Sequence, residues 1–518
     1  MKNISILLIA INVLVLSCIV YGETPSFKVD SNPTLNMVKQ YNSSTLYTLS
    51  SSGYQDPIFV ANLTGTHYEI GYAMGYFLAE EALENFESLL KVAIPYGFER
   101  DALKLFLDWQ WKDYLSKQIT QNYLDEIQGF YDGAKGAGFD KLENAITQAV
   151  VISSLPGDPN QNIEALIKNE FLKGDASEFK QYLVANGYDE VIATILNTEL
   201  FKSTTADGSK PIKGMQCSHF SVWGSRTNSG DMYNGRNLDW LQNSGIAKNK
   251  LITFYHPKGS YSHAAIGFAG LIGAITGISS QGIFVAESDN DSNKVTFDGF
   301  AWSMRLRYIM EHANSIDAAL GLWKATNNTM GMNHMVASSN EATTAPHPAY
   351  ALETMAGYTA YFPDNSPAEQ YLYTNTTTGA ATQMGYPIPE AVFRTNHGYD
   401  TVIRANQWID PKPTDDSMIR YMLFHDAFNY YETAQIEISE LEAINITSIL
   451  GAKNNEANFY DCSQGWNGYN IISATYHFAA NKMFVAYEEG AGQNRVCACC
   501  GTYVQVDLTP FFVSNQIN

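Results

Sequence analysis

One cysteine in this chain stands apart from the others. Of six, Cys18 falls in the leader, while Cys462, Cys497, Cys499 and Cys500 gather near the C-terminus and leave Cys217 alone. A polar stretch with Gly and Pro, residues 202–214, precedes it and reads as an exposed linker of the kind where chains are cut. Cys217 then opens a run of strand-like composition, Cys217-Ser218-His219-Phe220-Ser221-Val222-Trp223-Gly224. A cut after Gln216 makes Cys217 an N-terminal residue that carries its own base. An α-amine titrates at about 7.7–8.0 and a thiol at about 8.5, so the amine can take the thiol proton. The thiolate then attacks a carbonyl, and no histidine is required. The plain alternative is a buried, inert thiol, or one paired with the C-terminal group.

The following strand-like run supplies partners, Asn234-Gly235-Arg236-Asn237-Leu238-Asp239-Trp240. A guanidinium at Arg236 favours the thiolate, and a carboxylate at Asp239 can orient the ammonium. Strict alternation puts the two on opposite faces, so both reach one site only if the strand ends or bulges between them. The alternative is an ion pair at a strand end. In Thr395-Asn396-His397-Gly398, Asn396 offers an amide NH₂ to a developing oxyanion; an Asx turn is the ordinary use of such a residue. His219, His397 or His477 could serve a papain-like pair, but no Cys-Gly-x-Cys-Trp signature is present. The predicted catalytic set is therefore Cys217, Arg236, Asp239 and Asn396, with no cofactor and no metal. The four C-terminal cysteines can make two disulfides in three pairings. A zinc site in Cys497-x-Cys499-Cys500 is disfavoured where thiols oxidise.

Positioning these residues calls for a change of character along the chain. Residues 23 to 205 are expected to be mainly helical, with apolar periodicity at 103–111, 123–131 and 188–196. Gly71 and Gly75 lie four apart on one helix face and permit close packing, whereas Gly133, Gly136 and Gly138 read as a break. Strands are expected from residue 215 onward: 217–224, 232–240, 251–255, 264–268, 270–277 and 282–287. Helices follow at 301–313 and 315–325, then strands at 332–338 and 349–354, a helix at 417–428, and a hairpin of 471–478 with 483–487. Strands grouped around helices predict an α+β fold with stacked sheets.

The chain starts Met1-Lys2-Asn3 and runs apolar from Ile4 to Val20, which predicts a signal peptide cut after Gly22. The expected division is 1–22 signal peptide, 23–216 N-terminal segment and 217–518 catalytic part. The expected location is secreted or lysosomal. Six Asn-x-Ser/Thr triplets, at Asn42, Asn62, Asn290, Asn327, Asn375 and Asn445, suggest glycosylation. A formal charge of −21 argues against nucleic acid as a partner and suits an acidic compartment.

Taken in order, these residues resemble the N-terminal-nucleophile (Ntn) hydrolases of the acid ceramidase, choloylglycine hydrolase and isopenicillin-N acyltransferase group. The likeness covers Gly65-x-x-Tyr68-Glu69-x-Gly71-x-x-x-Gly75, Cys217 with Arg236-x-x-Asp239, the glycine-rich Gly270 to Gly282 segment, Arg394-Thr395-Asn396-His397 and Ser417-x-x-Arg420. The departures are Gln216 before the cut, a longer interval from Cys217 to Arg236, and the C-terminal cysteine cluster. The resemblance implies an αββα four-layer sandwich with a mainly helical N-terminal segment. It implies that the two self-cleaved chains stay associated and that Asn396 donates the oxyanion amide. The implied substrate is an acyl amide of a small polar amine, as in ceramides or N-acylethanolamines, which allows transient contact with a membrane surface. Phospholipase B-like proteins share this architecture and make acyl-ester hydrolysis the alternative. A catalytically silent secreted glycoprotein with a binding role is the alternative of another class.

Overall fold

A computed structural model describes residues 27–93, 98–153, 216–240, 244–290, 292–407, 411–451, 462 and 468–512. The expected leader, the linker 202–214 and the helix expected at 188–196 lie outside the described residues. The strands of the first part are β1 (Lys28–Asp30), β2 (Thr34–Tyr41), β3 (Ser44–Ser50) and β4 (Ile58–Gly65). Then come β5 (Gln216–Val222), β6 (Tyr233–Asp239), β7 (Lys250–Pro257), β8 (His263–Phe268), β9 (Thr276–Ser279) and β10 (Ile283–Asp289). They continue with β11 (Met332–Ser338), β12 (Ala349–Met355), β13 (Tyr358–Pro363), β14 (Leu372–Thr374), β15 (Ala381–Gln383) and β16 (Ala391–Arg394). The last are β17 (Asn470–His477), β18 (Lys482–Tyr487) and β19 (Thr502–Asp507). The main helices are α1 (His67–Ala93), α2 (Phe98–Asp113), α3 (Gln121–Gly136), α4 (Ala145–Ser153), α5 (Trp302–His312), α6 (Ile316–Lys324), α7 (Asp416–Ala434) and α8 (Glu440–Gly451).

Two large sheets result. One has the order β1-β19-β18-β17-β6-β5-β16 and the other β13-β12-β11-β10-β9-β8-β7-β4-β3-β2. Strands β6, β7, β8 and β10 are buried at every residue, as strands covered on both faces must be. The covers are visible in the contacts. Strand β5 packs on β10 and β11 across the space between the sheets, α8 lies on β6 and β17, and α5 lies on β8, β9 and β10. The layers are helix, sheet, sheet, helix: the expected α+β, four-layer αββα architecture.

The N-terminal segment carries the four helices α1 to α4 but begins with strands that the sequence reading did not anticipate. Strand β4 pairs in parallel with β7, Val60 opposite Ile252, and β1 pairs in parallel with β19. These partners lie far along the chain, so local periodicity does not announce them. Two glycine readings also change. Gly133 sits inside α3, where an added Cβ would meet the Tyr72 carbonyl oxygen at 1.9 Å. On α1, Gly71 and Gly75 meet the Glu126 and Phe130 carbonyl oxygens in the same way, so the expected close packing is the crossing of α1 and α3. Residues 270–275 form a turn segment, with positive φ at Gly270 and Gly273, and only Thr276–Ser279 is strand.

Of the candidate glycosylation sites, Asn290 and Asn445 are buried. Asn290 Nδ2 donates to Asn333 Oδ1 at 3.0 Å, and Asn445 Nδ2 to Tyr431 Oη at 3.3 Å. Such amides are closed to a glycan, whereas Asn42 and Asn327 are exposed.

A buried ionic cluster joins the segment before Cys217 to the part after it. His67 Nδ1 is 2.8 Å from Glu126 Oε2, and Arg307 Nη2 is 2.8 Å from the same oxygen. Arg307 Nε also reaches Glu311 Oε1 at 2.8 Å, and His67 Nε2 lies 3.4 Å from Glu311 Oε2. Burial lowers the His67 pKa, but Glu126 and Glu311 outweigh it and lift the imidazole to about 9. Burial likewise opposes ionisation of Glu311, yet Arg307 and the histidines hold that carboxyl down to about 2. A histidine raised in the folded state stabilises fully below its unfolded pKa of about 6.5 and loses that contribution as pH climbs through its folded value. The thermal midpoint should therefore fall between pH 7 and 10 in the wild type, and His67→Gln should flatten that slope. An unchanged slope in the variant would remove His67 from the cluster's energetics.

Candidate active site

Strand β16 ends early. It pairs with β5 from Ala391 opposite Val222 to Arg394 opposite His219, and there the ladder stops. Cys217 lies two residues beyond, so its main-chain groups on that edge need other partners. Side chains supply them. Cys217 N donates to Asn396 Oδ1 at 2.7 Å, and Arg420 Nη1 donates to the Cys217 carbonyl oxygen at 2.5 Å. Arg420 Nη2 also donates to Asn396 Oδ1 at 2.8 Å, which closes a ring around the cysteine main chain. Asn396 is itself fixed: its N–H donates to Ser417 Oγ at 2.7 Å and its Nδ2 to the Asp289 carbonyl oxygen at 2.9 Å.

On its other edge β5 pairs with β6, with Cys217 opposite Leu238 and His219 opposite Arg236. Directly opposed residues share a face, so Arg236 points to the same side as the thiol. Its Nη2 lies 3.2 Å from Cys217 Sγ. The same nitrogen forms an ion pair with Glu287, which rises from β10 on the facing sheet. All three side chains are fully buried. Burial pushes the Cys217 thiol far up; Arg236 opposes this, Glu287 and Asp239 add to it, and the main-chain N–H of Asp239 opposes it. In the uncut chain the thiol is held neutral.

Asp239 follows the alternation argument. It sits opposite Gln216, and its Oδ1 accepts from Asn470 Nδ2 at 2.7 Å. The irregularity needed near it exists, but on the neighbouring strand. The β6–β17 register shifts between Asn470 and Ile472, the positions opposite Asp239 and Leu238. The Asp239 charge is close enough to act on Cys217, and its main-chain N–H faces the thiol.

All four expected residues, Cys217, Arg236, Asp239 and Asn396, are thus brought to one place. The Asn396 amide differs in orientation from the oxyanion reading: its oxygen faces Cys217, because two N–H donors converge there and only an oxygen can accept both. The histidines do other things. Both His219 ring nitrogens are buried without a hydrogen-bond partner. His397 Nδ1 lies 2.7 Å from Ser417 Oγ, and His477 lies between Glu440 and Asp231.

Glu287 was missed, and Arg420 was noted only as part of a motif. The signal for Glu287 is a carboxylate directly after the apolar run Ile283-Phe284-Val285-Ala286, inside a strand. A charge there demands a buried partner.

The solved structures that the chain resembles are Ntn hydrolases. An N-acylethanolamine-hydrolyzing acid amidase ortholog of Caenorhabditis elegans matches at 13% identity and TM-score 0.32, over 50% of this chain and 92% of that one. A conjugated bile acid hydrolase from Clostridium perfringens matches at 11% identity and TM-score 0.35, over 57% and 93%. Penicillin V acylase from Agrobacterium tumefaciens matches at 8% and TM-score 0.30, over 57% and 86%. Among curated proteins, Protein dcd1B of Dictyostelium discoideum is 24% identical over 315 residues, 60% of this chain. The match spans 53% of that protein's length. No family model matches. These are likenesses at low identity.

Removing the charge of Glu287 leaves Arg236 buried and uncompensated. Glu287→Gln should destabilise the fold by about 3 kcal/mol or more, the usual size for breaking a buried pair, while Glu287→Asp should recover part of it. Urea unfolding midpoints test this; equal stability of wild type and Glu287→Gln would deny the pair its role.

Proposed function

We propose that this chain is a self-processing cysteine Ntn amidohydrolase that cuts itself between Gln216 and Cys217 and then hydrolyses an acyl-amide bond. The carrying observation is the double grip on Cys217: Asn396 holds its nitrogen and Arg420 its carbonyl oxygen, while Arg236 meets its sulfur. An open strand edge alone calls for main-chain partners; these partners in addition set the nitrogen on an amide oxygen and the sulfur beside a guanidinium, as a nucleophile with its own base requires.

In the cut, Sγ attacks the Gln216 carbonyl carbon, the Gln216–Cys217 C–N bond breaks, and the nitrogen takes the thiol proton. Water then hydrolyses the thioester, which frees the thiol beside the amine already released and leaves Gln216 with a terminal carboxylate. In turnover the amine accepts the thiol proton and passes it to the leaving amine, and water then hydrolyses the thioester left on Sγ to release the acid and restore the thiol. Arg236 stabilises the thiolate, and Asp239 and the Asn396 oxygen hold the ammonium. Asn396 Nδ2 serves the oxyanion after it releases the Asp289 carbonyl.

The substrate we propose is an amide between a fatty acyl chain and a small polar amine. Apolar and aromatic segments such as 271–275 and 297–302 are long enough to line an acyl slot. The proposal extends to a secretory route, consistent with the apolar leader, and to two chains that remain associated through the His67–Glu126–Arg307–Glu311 cluster.

Purified protein should migrate as two chains, and the larger should begin Cys-Ser-His-Phe-Ser. Cys217→Ala should give one uncut, inactive band; active protein with an intact 216–217 bond would overturn the mechanism. Asn396→Ala should lower turnover by roughly a hundredfold. Matched lipids that share an acyl chain and differ in amide or ester linkage decide the substrate. Release from the ester alone would favour phospholipase chemistry, and no release with no cut would favour the silent glycoprotein.

A further inference from the structure

The C-terminal cysteines have a place in the fold that the reaction above does not use. Cys462 and Cys500 form a disulfide. Cys497 and Cys499 remain as thiols, both buried, with their sulfurs 3.3 Å apart. The sulfurs of Cys497, Cys499 and Cys500 all lie within 4.8 Å of one another. Two occupants suit such a cluster, a soft metal ion or a second disulfide. A structural zinc site takes four ligands. With Cys500 committed to Cys462, only two thiols remain, which favours oxidation.

From this geometry we infer that Cys497 and Cys499 are the second disulfide of the mature protein, and that it locks the loop that positions Asp239. The link to Asp239 is short. Cys499 N donates to Asn470 Oδ1 at 2.8 Å, and Asn470 Nδ2 donates to Asp239 Oδ1 at 2.7 Å. Ser448 Oγ donates to the Cys499 carbonyl oxygen at 2.7 Å, so the cysteine main chain is held on both sides. Cys497 is the more acidic thiol, because it accepts a hydrogen bond from Cys499 and lies near Arg495, against the opposing effect of burial.

The oxidation balances with a small-molecule disulfide as oxidant, acting before the pair is buried. The Cys497 thiolate attacks one sulfur of that disulfide and releases one small thiol. Cys499 then loses its proton and attacks Cys497 Sγ in the mixed disulfide, releasing the second. Two thiols have lost two protons and two electrons, and the small disulfide has gained them. This pairing would leave Cys217 as the single thiol of the mature chain. The positioning role rests on the catalytic reading of Asp239; the disulfide does not.

The test begins with wild-type protein secreted from a eukaryotic host without reductant. It is unfolded in an alkylating agent and weighed. One adduct, mapped to Cys217, supports the pairing. Three adducts overturn it, and stoichiometric zinc released with them would identify a metal site instead. The peptide carrying Cys497 and Cys499 should also be lighter by two hydrogens than its reduced form. For the positioning role, mild reduction that opens only this bridge should slow turnover on the order of tenfold or more, the scale of small misplacements at a reacting group, with KM unchanged. Asn470→Ala should slow the oxidised enzyme similarly and remove the further effect of reduction. If reduction slows Asn470→Ala as much as wild type, the loop does not act through Asn470. A protein that shows one adduct but neither cuts nor turns over would retain the disulfide and lose the catalytic reading.

Discussion

A guanidinium buried between two β-sheets is the constraint on which this structure turns. Arg236 is fully buried on β6, and an unpaired charge there would cost several kcal/mol. Glu287 neutralises it from β10, on the facing sheet. The pair therefore does two things. It ties the sheets together at one register, and it leaves a positive group 3.2 Å from Cys217 Sγ. Burial alone keeps the thiol protonated, so the guanidinium is the counterweight that makes a thiolate attainable there.

The second constraint is an interrupted ladder. Because the edge strand β16 stops at Arg394, Cys217 on β5 has an open main-chain edge at the margin of its sheet. Asn396 and Arg420 fill it. An edge satisfied by side chains is one at which the main chain can be cut without collapsing a strand pair. The segment before Cys217 is meanwhile held by independent means. Strand β4 is paired to β7, α1 is crossed closely by α3, and His67 and Glu126 are joined to Arg307 and Glu311. Loss of one peptide bond at 216–217 breaks none of these contacts.

Much of this was legible in the chain itself. Lone Cys217 after a polar linker, the Arg236-x-x-Asp239 pair and Asn396 all stood out by residue type and spacing. Strands β5 to β8, β10 to β12, β17 and β18 and the helices α5 to α7 followed from composition and periodicity. What escaped has common physical causes. Strands β1 and β4 were missed because their partners β19 and β7 lie far along the chain, while β2 and β3 pair locally and were simply overlooked. Gly133 looked like a helix break because its value is a close approach to another helix. Residues 270–275 looked like a strand because glycine-rich apolar runs suit a turn equally well. The oxygen-inward orientation of Asn396 could not be read from a sequence, since it depends on two donors brought from β5 and α7.

By itself, then, the sequence determined the candidate groups: a thiol that a cut would make N-terminal, and a cation, a carboxylate and an amide to go with it. Those are properties of residue type and local order. Only the tertiary structure decided which of these groups meet, which face each takes and what neutralises them. Glu287 reaches Arg236 across the space between sheets, and Asn470 reaches Asp239 from the neighbouring strand β17. The reason is that a buried charge and an unpaired main-chain edge are defined by what surrounds them, and those surroundings come from parts of the chain that only folding brings together.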